Sequence, residues 1–251
     1  MFRDKLGPGY YAGIWQGDLI PGLLWHSAGG SAGYADTDSS APSWSWASLP
    51  GLEFNPPSNL GTLSKSEALV RVLETKTATS TTNPFGPVHS GFVKFWGHVW
   101  RAEVIASELF KSKSGIWPRR LKVAGYLENS FTLEFDMSLT MVDVCLPDGA
   151  RERSMRRIRR DEFHGKFYIG NLREGESIHL IMIPLLKDEF PERNDHKRDL
   201  TYGLILGRSC KDPTKYERLG RFRVFNLTTV DSQAYHENPA DDFSEQEIEI
   251  I

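Results

Sequence analysis

Hydrophobic side chains recur at every second position in segment after segment of this chain. Phe131, Leu133, Phe135 and Met137 alternate with Thr132, Glu134, Asp136 and Ser138. Ile248 and Ile250 alternate with Glu247 and Glu249. A period of two puts one face of a strand in a core and the other in water. Residues 92–100 differ: Val93, Phe95 and Val99 alternate with Phe92, Trp96 and Trp100, so both faces should be covered in part. Further strand candidates are 68–74, 121–127, 141–147, 166–170, 177–186, 201–207, 220–227 and 246–251. About ten short strands separated by Gly, Pro, Asn or Asp predict a mainly β domain, a sandwich or a barrel-like body. Asn83-Pro84-Phe85-Gly86-Pro87 reads as a tight turn before the aromatic strand. Ser107 to Arg120 and Lys187 to Arg198 read as polar loops.

The N-terminal stretch follows another rule. Tyr11, Ile14 and Trp15 stand at helical spacing, and Leu19, Leu23 and Trp25 nearly so. Pro21 should end or kink a helix, which predicts two short helical pieces. His26 to Ser40, rich in Gly, Ser, Ala and Asp, reads as a connector. The predicted organisation is a helical, Trp-rich segment over 1–48 packed on a β-rich domain over 49–251.

Of the 251 residues, 39% are hydrophobic and 25% charged, which excludes collagen, coiled coil and wholesale disorder. A net charge of −3 argues against a general nucleic-acid binder. Cys145 and Cys210 are the only cysteines, so no disulfide framework is expected and a reducing, cytoplasmic setting is. The first residues lack a signal-peptide pattern, and no apolar run of about 18 residues predicts a membrane span.

Few signals of chemistry stand out. Residues 151–160, RERSMRRIRR, carry six arginines. Arg156, Arg157, Arg159 and Arg160 could form an anion patch, since guanidinium forks bind phosphates and carboxylates bidentately. A solvated hairpin tip or short helix is the plainer account, because no aromatics interleave. Gly29 to Gly33 spells G-x-S-x-G without the strand before it and helix after it that a nucleophile elbow needs. The seven histidines show no metal-ligand spacing, and no phosphate-cradling glycine loop is present, so neither metal nor cofactor is expected. Cys145 lies in an apolar strand and reads as core. An enzyme built on two carboxylates facing each other across strands stays open.

Ala41-Pro42-Ser43-Trp44-Ser45-Trp46-Ala47-Ser48 is the most distinctive block. In a strand, tryptophans at i and i+2 share a face. They would form either an aromatic shelf for a ligand ring or a clamp that holds the N-terminal helices on the β-domain. Buried indoles are the commoner case, which favours the clamp.

This block resembles the A-P-S-W-S-W-A-S element of fungal heterokaryon incompatibility (HET) proteins. Tyr11-Ala12-Gly13-Ile14-Trp15, Asp18-Leu19 and Leu23-Leu24-Trp25 are similar to that family's Y-x-A-G-L-W-x-x-D-L-x-x-x-L-L-W segment. Asn83 to Val88, then Ser90-Gly91, resembles its D-P-F-G-x-V-x-x-G turn. Ile183-Pro184-Leu185, Gly203 to Leu206 and Tyr216 to Phe222 resemble its L-P-L, G-L-L-L and Y-x-R-x-G-x-F elements. The order holds across nearly the whole chain. The HET domain itself, which opens with a Y-x-A-L-S-Y-x-W-G-like strand, has no counterpart here. The resemblance therefore implies the C-terminal portion alone, a truncated product or separated module, and brings no catalytic residue.

The resemblance implies a non-enzymatic regulatory or recognition module serving non-self recognition and cell death in fungi, with a protein partner. Trp15, Trp25, Pro42, Trp44 and Trp46 would be its structural motif, and residues 107–120 and 187–199 its contact loops. The alternative is a β-sandwich module binding carbohydrate on Trp44, Trp46, Trp96 or Trp100. An uncovered apolar face at Ile14, Trp15, Leu23 and Leu24 predicts self-association.

Overall fold

The computed structural model describes residues 9–27, 41–49, 54–55, 66–83, 85–105, 109–112, 115–118, 121–123, 126–128, 131–136, 139–158, 177–191, 197–225 and 243–251. The protein is mainly β. The strands are β1 (Tyr10–Tyr11), β2 (Ile14–Trp15), β3 (His26–Ser27), β4 (Phe54–Asn55), β5 (Glu67–Ala68), β6 (Val70–Thr79), β7 (Val88–Ile105), β8 (Leu109–Ser112) and β9 (Gly115–Pro118). They continue as β10 (Leu121–Val123), β11 (Tyr126–Glu128), β12 (Phe131–Phe135), β13 (Leu139–Cys145), β14 (Arg151–Arg157), β15 (Ser177–Pro191), β16 (Lys197–Arg208), β17 (Tyr216–Phe225) and β18 (Phe243–Ile250). One short α-helix, α1 (Leu19–Gly22), lies between β2 and β3 and buries Leu19 in the core. Among the described residues no helix is long and apolar enough to cross a membrane.

The main sheet runs β11-β10-β7-β15-β16-β17-β12-β9-β8. β18 pairs antiparallel with β7 along its whole length and touches β17 through Tyr216 and Ile250. The pairings β7-β15-β16-β17-β18-β7 thus close a ring, whose β17–β18 step is the single pair Tyr216 and Ile250. Several strands are longer than the sequence pattern predicted, β7 reaching 18 residues. Residues 107–120 and 187–198 are not simply loops. β8 and β9 form a hairpin, and β15 and β16 stay paired out to Pro191 and Lys197. Backbone pairing needs no apolar side chains, so a polar composition does not end a ladder. The segment 121–127 is two hairpin arms, β10 and β11, and 166–170 lies outside the described residues.

The N-terminal segment is a hairpin followed by a turn of helix. β1 and β2 are joined by Ala12 and Gly13, both at positive φ (46° and 99°), the conformation a two-residue hairpin turn needs. Tyr11 faces Ile14 and Tyr10 faces Trp15. Cross-strand partners in so tight a hairpin stand at i and i+3, which is why the segment imitates helical spacing. α1 spans four residues and contains Pro21 in its first turn, where the missing N–H costs nothing.

Two faces of the sheet are packed. One carries Trp100, Phe131 and Phe222, with ring centroids 5.5 and 6.0 Å apart. The other gathers Val93, Phe95, Ile183, Leu185, Leu204, Leu206, Ile248 and Ile250 against Ile14, Leu19, Leu23, Leu24 and Trp44. Residues 9–27 and 41–49 therefore share the β-domain's own core. This corrects the expected uncovered apolar face: Ile14, Leu23 and Leu24 are buried, and Trp15 is half-buried. Self-association through that face loses its basis.

Candidate functional site

The block 41–49 is not a strand. Ser45 starts a short 3-10 turn over Trp46–Ser48, its hydroxyl accepting from Ala47 N at 3.1 Å and donating to Ala12 O at 2.7 Å. The two indoles diverge as a result. Trp44 is 0% exposed in the core, while Trp46 is 37% exposed and lies over Gly13, its Nε1 donating to Gly13 O at 3.4 Å. A Cβ at Gly13 would stand 2.3 Å from that indole nitrogen. The expected shared face of the two tryptophans is thus corrected to one buried anchor and one lid. Pro42 is buried against Gly91 of β7. Trp15 joins Tyr10 and Phe85 in an aromatic cluster, with centroids 4.9 to 5.9 Å apart. Phe85 comes from the predicted turn, where Gly86 N donates to Asn83 O at 2.9 Å.

Beneath this block lies a buried polar network. Arg218 on β17 is 0% exposed and grips Asp136 with two hydrogen bonds of 3.0 Å, from Nε and Nη2. Nη1 donates to Leu23 O at 2.5 Å and Nη2 to Trp25 O at 2.6 Å. The guanidinium lies 3.5 Å from the centroid of the Trp25 ring. Trp25 Nε1 donates to Trp44 O at 2.9 Å. Arg157 at the end of β14 donates to Arg218 O, Ser48 Oγ and Ser43 O at 2.6 to 2.9 Å. Ser43 closes the circuit: its N and Oγ both donate to Ile251 O, and its Oγ accepts from Arg218 N at 3.0 Å. Burial pushes the Arg218 guanidinium down to about 10 against the pull of Asp136, and Arg157 is lowered for the same reason. At neutral pH both remain charged.

Of the four arginines of the predicted anion patch, Arg157 is turned inward and buried. Arg157 spends its nitrogens on backbone and serine oxygens inside the protein. Arg156 Nη1 donates to Arg157 O at 3.0 Å. Arg159, Arg160 and the G-x-S-x-G letters at 29–33 lie outside the described residues. Residues 151–157 of the run form β14, the second arm of a hairpin with β13, so neither a tip nor a helix describes them. Cys145 is exposed and not core, because it ends β13 on the open side while its neighbour Val144 points inward.

The carbohydrate shelf is also redistributed. Trp44 and Trp100 are buried, whereas Trp96 is 38% exposed on β7 and donates from Nε1 to Glu245 at 3.2 Å. Among the described residues no three of His, Cys, Asp and Glu are placed to hold a metal ion.

The arginines missed by the sequence reading are Arg218, Arg221 and Arg223. They lie on one face of β17 opposite Asp136, Glu134 and Thr132 at β12. Arg221 Nε donates to Glu134 at 2.5 Å and its Nη1 to Leu24 O at 2.8 Å. Their signal was available: Glu134 and Asp136 sit on the polar side of an alternating strand, and carboxylates enclosed there need cationic partners. Comparison with protein-family models, curated proteins and solved structures finds no match.

Proposed function

We propose that this chain is a non-enzymatic recognition and regulatory module of HET type, serving non-self recognition and cell death in fungi. One observation supports the reading. The separate segments that carry the resemblance, Leu23-Leu24-Trp25, Ser43 to Ser48 and Tyr216 to Arg221, meet in a single hydrogen-bonded network. The charged groups of that network are committed to one another, which suits a scaffold better than a reactive centre. A protein partner would meet the predicted contact segments 107–120 and 187–199. The test is hyphal fusion between a fungal strain that expresses the chain and one that lacks it, scored with a vital dye. Death confined to fusions that carry the chain, and abolished by Arg218→Met, is expected. Viable fusion cells overturn the proposal.

A second reading, a carbohydrate-binding module, rests on Trp46 and Trp96, the exposed members of the predicted shelf. Glycan-induced shifts in tryptophan emission that vanish in Trp96→Ala would favour it.

A further inference from the structure

The face of β12 and β17 carries a ladder with a missing rung. Arg218 has Asp136, and Arg221 has Glu134. The next cross-strand pair is Thr132 and Arg223, where a neutral hydroxyl stands in the place of the third carboxylate. Glu134 comes only within 3.8 Å of Arg223 Nε, and its other oxygen is already held by Arg221. Arg223 Nε is buried without a hydrogen-bond partner among the described residues. Thr132 is fully buried, and its Oγ1 is unpartnered in the same sense.

On the other side of Arg223, across the β16 pairing, stands Tyr202. The three residues Thr132, Arg223 and Tyr202 thus form a row over three adjacent strands, at about 4.8 Å per strand. Tyr202 is half-buried, and no hydrogen bond to another described residue occupies its hydroxyl. Asp188 bears on Tyr202 but already has a partner of its own. His26, over Arg221 and Glu134, adds a second buried nitrogen, Nδ1, without a partner among the described residues. His26 directly follows Leu23, Leu24 and Trp25 of the cover and opens β3. The first two arginines donate to carbonyls of that cover, and the third does not.

Unsatisfied buried polar atoms of this kind are costly, and the carboxylate within reach of Arg223, that of Glu134, is shared with Arg221. We propose that Arg223, Thr132 and Tyr202 form a binding site for an oxyanion, the carboxylate or phosphate of a small ligand. The ligand supplies the charge that residue 132 does not. Arg223 donates from its guanidinium, and the Thr132 and Tyr202 hydroxyls donate from either side. The site stands independently of the HET-type reading.

The experiment titrates the whole chain with inorganic phosphate and, separately, with acetate, at constant ionic strength. Calorimetry and the thermal unfolding midpoint are read together. At least one anion should bind and raise the midpoint, and the stronger of the two names the source chemistry. Arg223→Gln and Thr132→Val should each weaken binding roughly tenfold or more, Thr132→Ser should restore it, and Arg151→Gln on β14 should leave it unchanged. Thr132→Val keeps every charge and the side-chain volume, so it reports on the site even if Arg223→Gln unfolds. Absence of binding for both anions overturns the proposal. So does binding in Thr132→Val as tight as in the natural sequence.

Discussion

The Arg218 guanidinium stacks face-on against Trp25, 3.5 Å from the ring centroid, while its edges hold Asp136 and two backbone carbonyls. Every nitrogen of that guanidinium has an oxygen to meet, so the charge is buried but not bare. Removing it leaves Asp136, 1% exposed, with Arg157 Nη2 at 3.7 Å as the remaining cation. Arg218→Met should therefore lower unfolding free energy by about 3–5 kcal/mol in urea denaturation. Arg218→Lys should recover little, because an ammonium cannot make the forked contact. The double variant Arg218→Met with Asp136→Leu should be more stable than Arg218→Met alone. A loss under about 1 kcal/mol in Arg218→Met would show that the network adds nothing to stability.

The two tryptophans of the 41–48 block should behave differently. Trp44→Ala empties a core position and should cost about 3–5 kcal/mol. Trp46→Ala removes a partly exposed ring and should cost about 1 kcal/mol or less. Acrylamide quenching should be lost in part from Trp46→Ala and not from Trp44→Ala. Equal losses of stability would contradict the placement of the rings.

Gly13 has two reasons to be glycine, its φ of 99° and the Trp46 indole where a Cβ would point. Gly149 has one, a φ of 84° in open space. Gly149→Ala should cost about 1 kcal/mol and Gly13→Ala about 1–3 kcal/mol more than that. In a Trp46→Ala background the excess at Gly13 should shrink, a coupling that a double-mutant cycle measures directly.

His26 gives the protein a pH dependence in the mildly acidic range. Burial, then the charge of Arg221, holds its imidazole below the ordinary 6.5, with Arg218 adding to the effect and Glu134 and Asp136 opposing it. The unfolded chain takes up the proton first as pH falls. The stabilisation is complete above pH 6.5 and is lost as pH drops through the lower folded value. Denaturation midpoints should fall between about pH 7 and 5, and His26→Gln should flatten that slope. A slope unchanged in His26→Gln would assign the dependence to other groups.

The β class was legible because alternation is a local signal. Phe131, Leu133 and Phe135 announce a strand whatever it pairs with. Register and closure were not, since β18 lies beside β7 for reasons written in both strands together. Tyr11, Ile14 and Trp15 misled because a two-residue hairpin and a helix share their spacing. Trp44 and Trp46 misled because the hydrogen bonds of Ser45, between them, turn the backbone into a 3-10 helix. The arginine run at 151–160 drew attention by density, yet it contributes Arg157 to the interior network, whose other arginines are spaced singly along β17. Density along the sequence does not tell which arginine turns inward; partners on neighbouring strands decide it.

Leu23 O and the Arg218 side chain that holds it are 195 residues apart in sequence. At a ribosomal pace of ~5–20 residues per second, the leading segment waits ~10–40 s before its counterpart exists. During that interval Leu23, Leu24 and Trp25 have no native groove to enter. Contacts of such range also slow the search for the native state once synthesis is complete. Newborn copies of this protein are thus candidates for escort by a chaperone until β17 arrives.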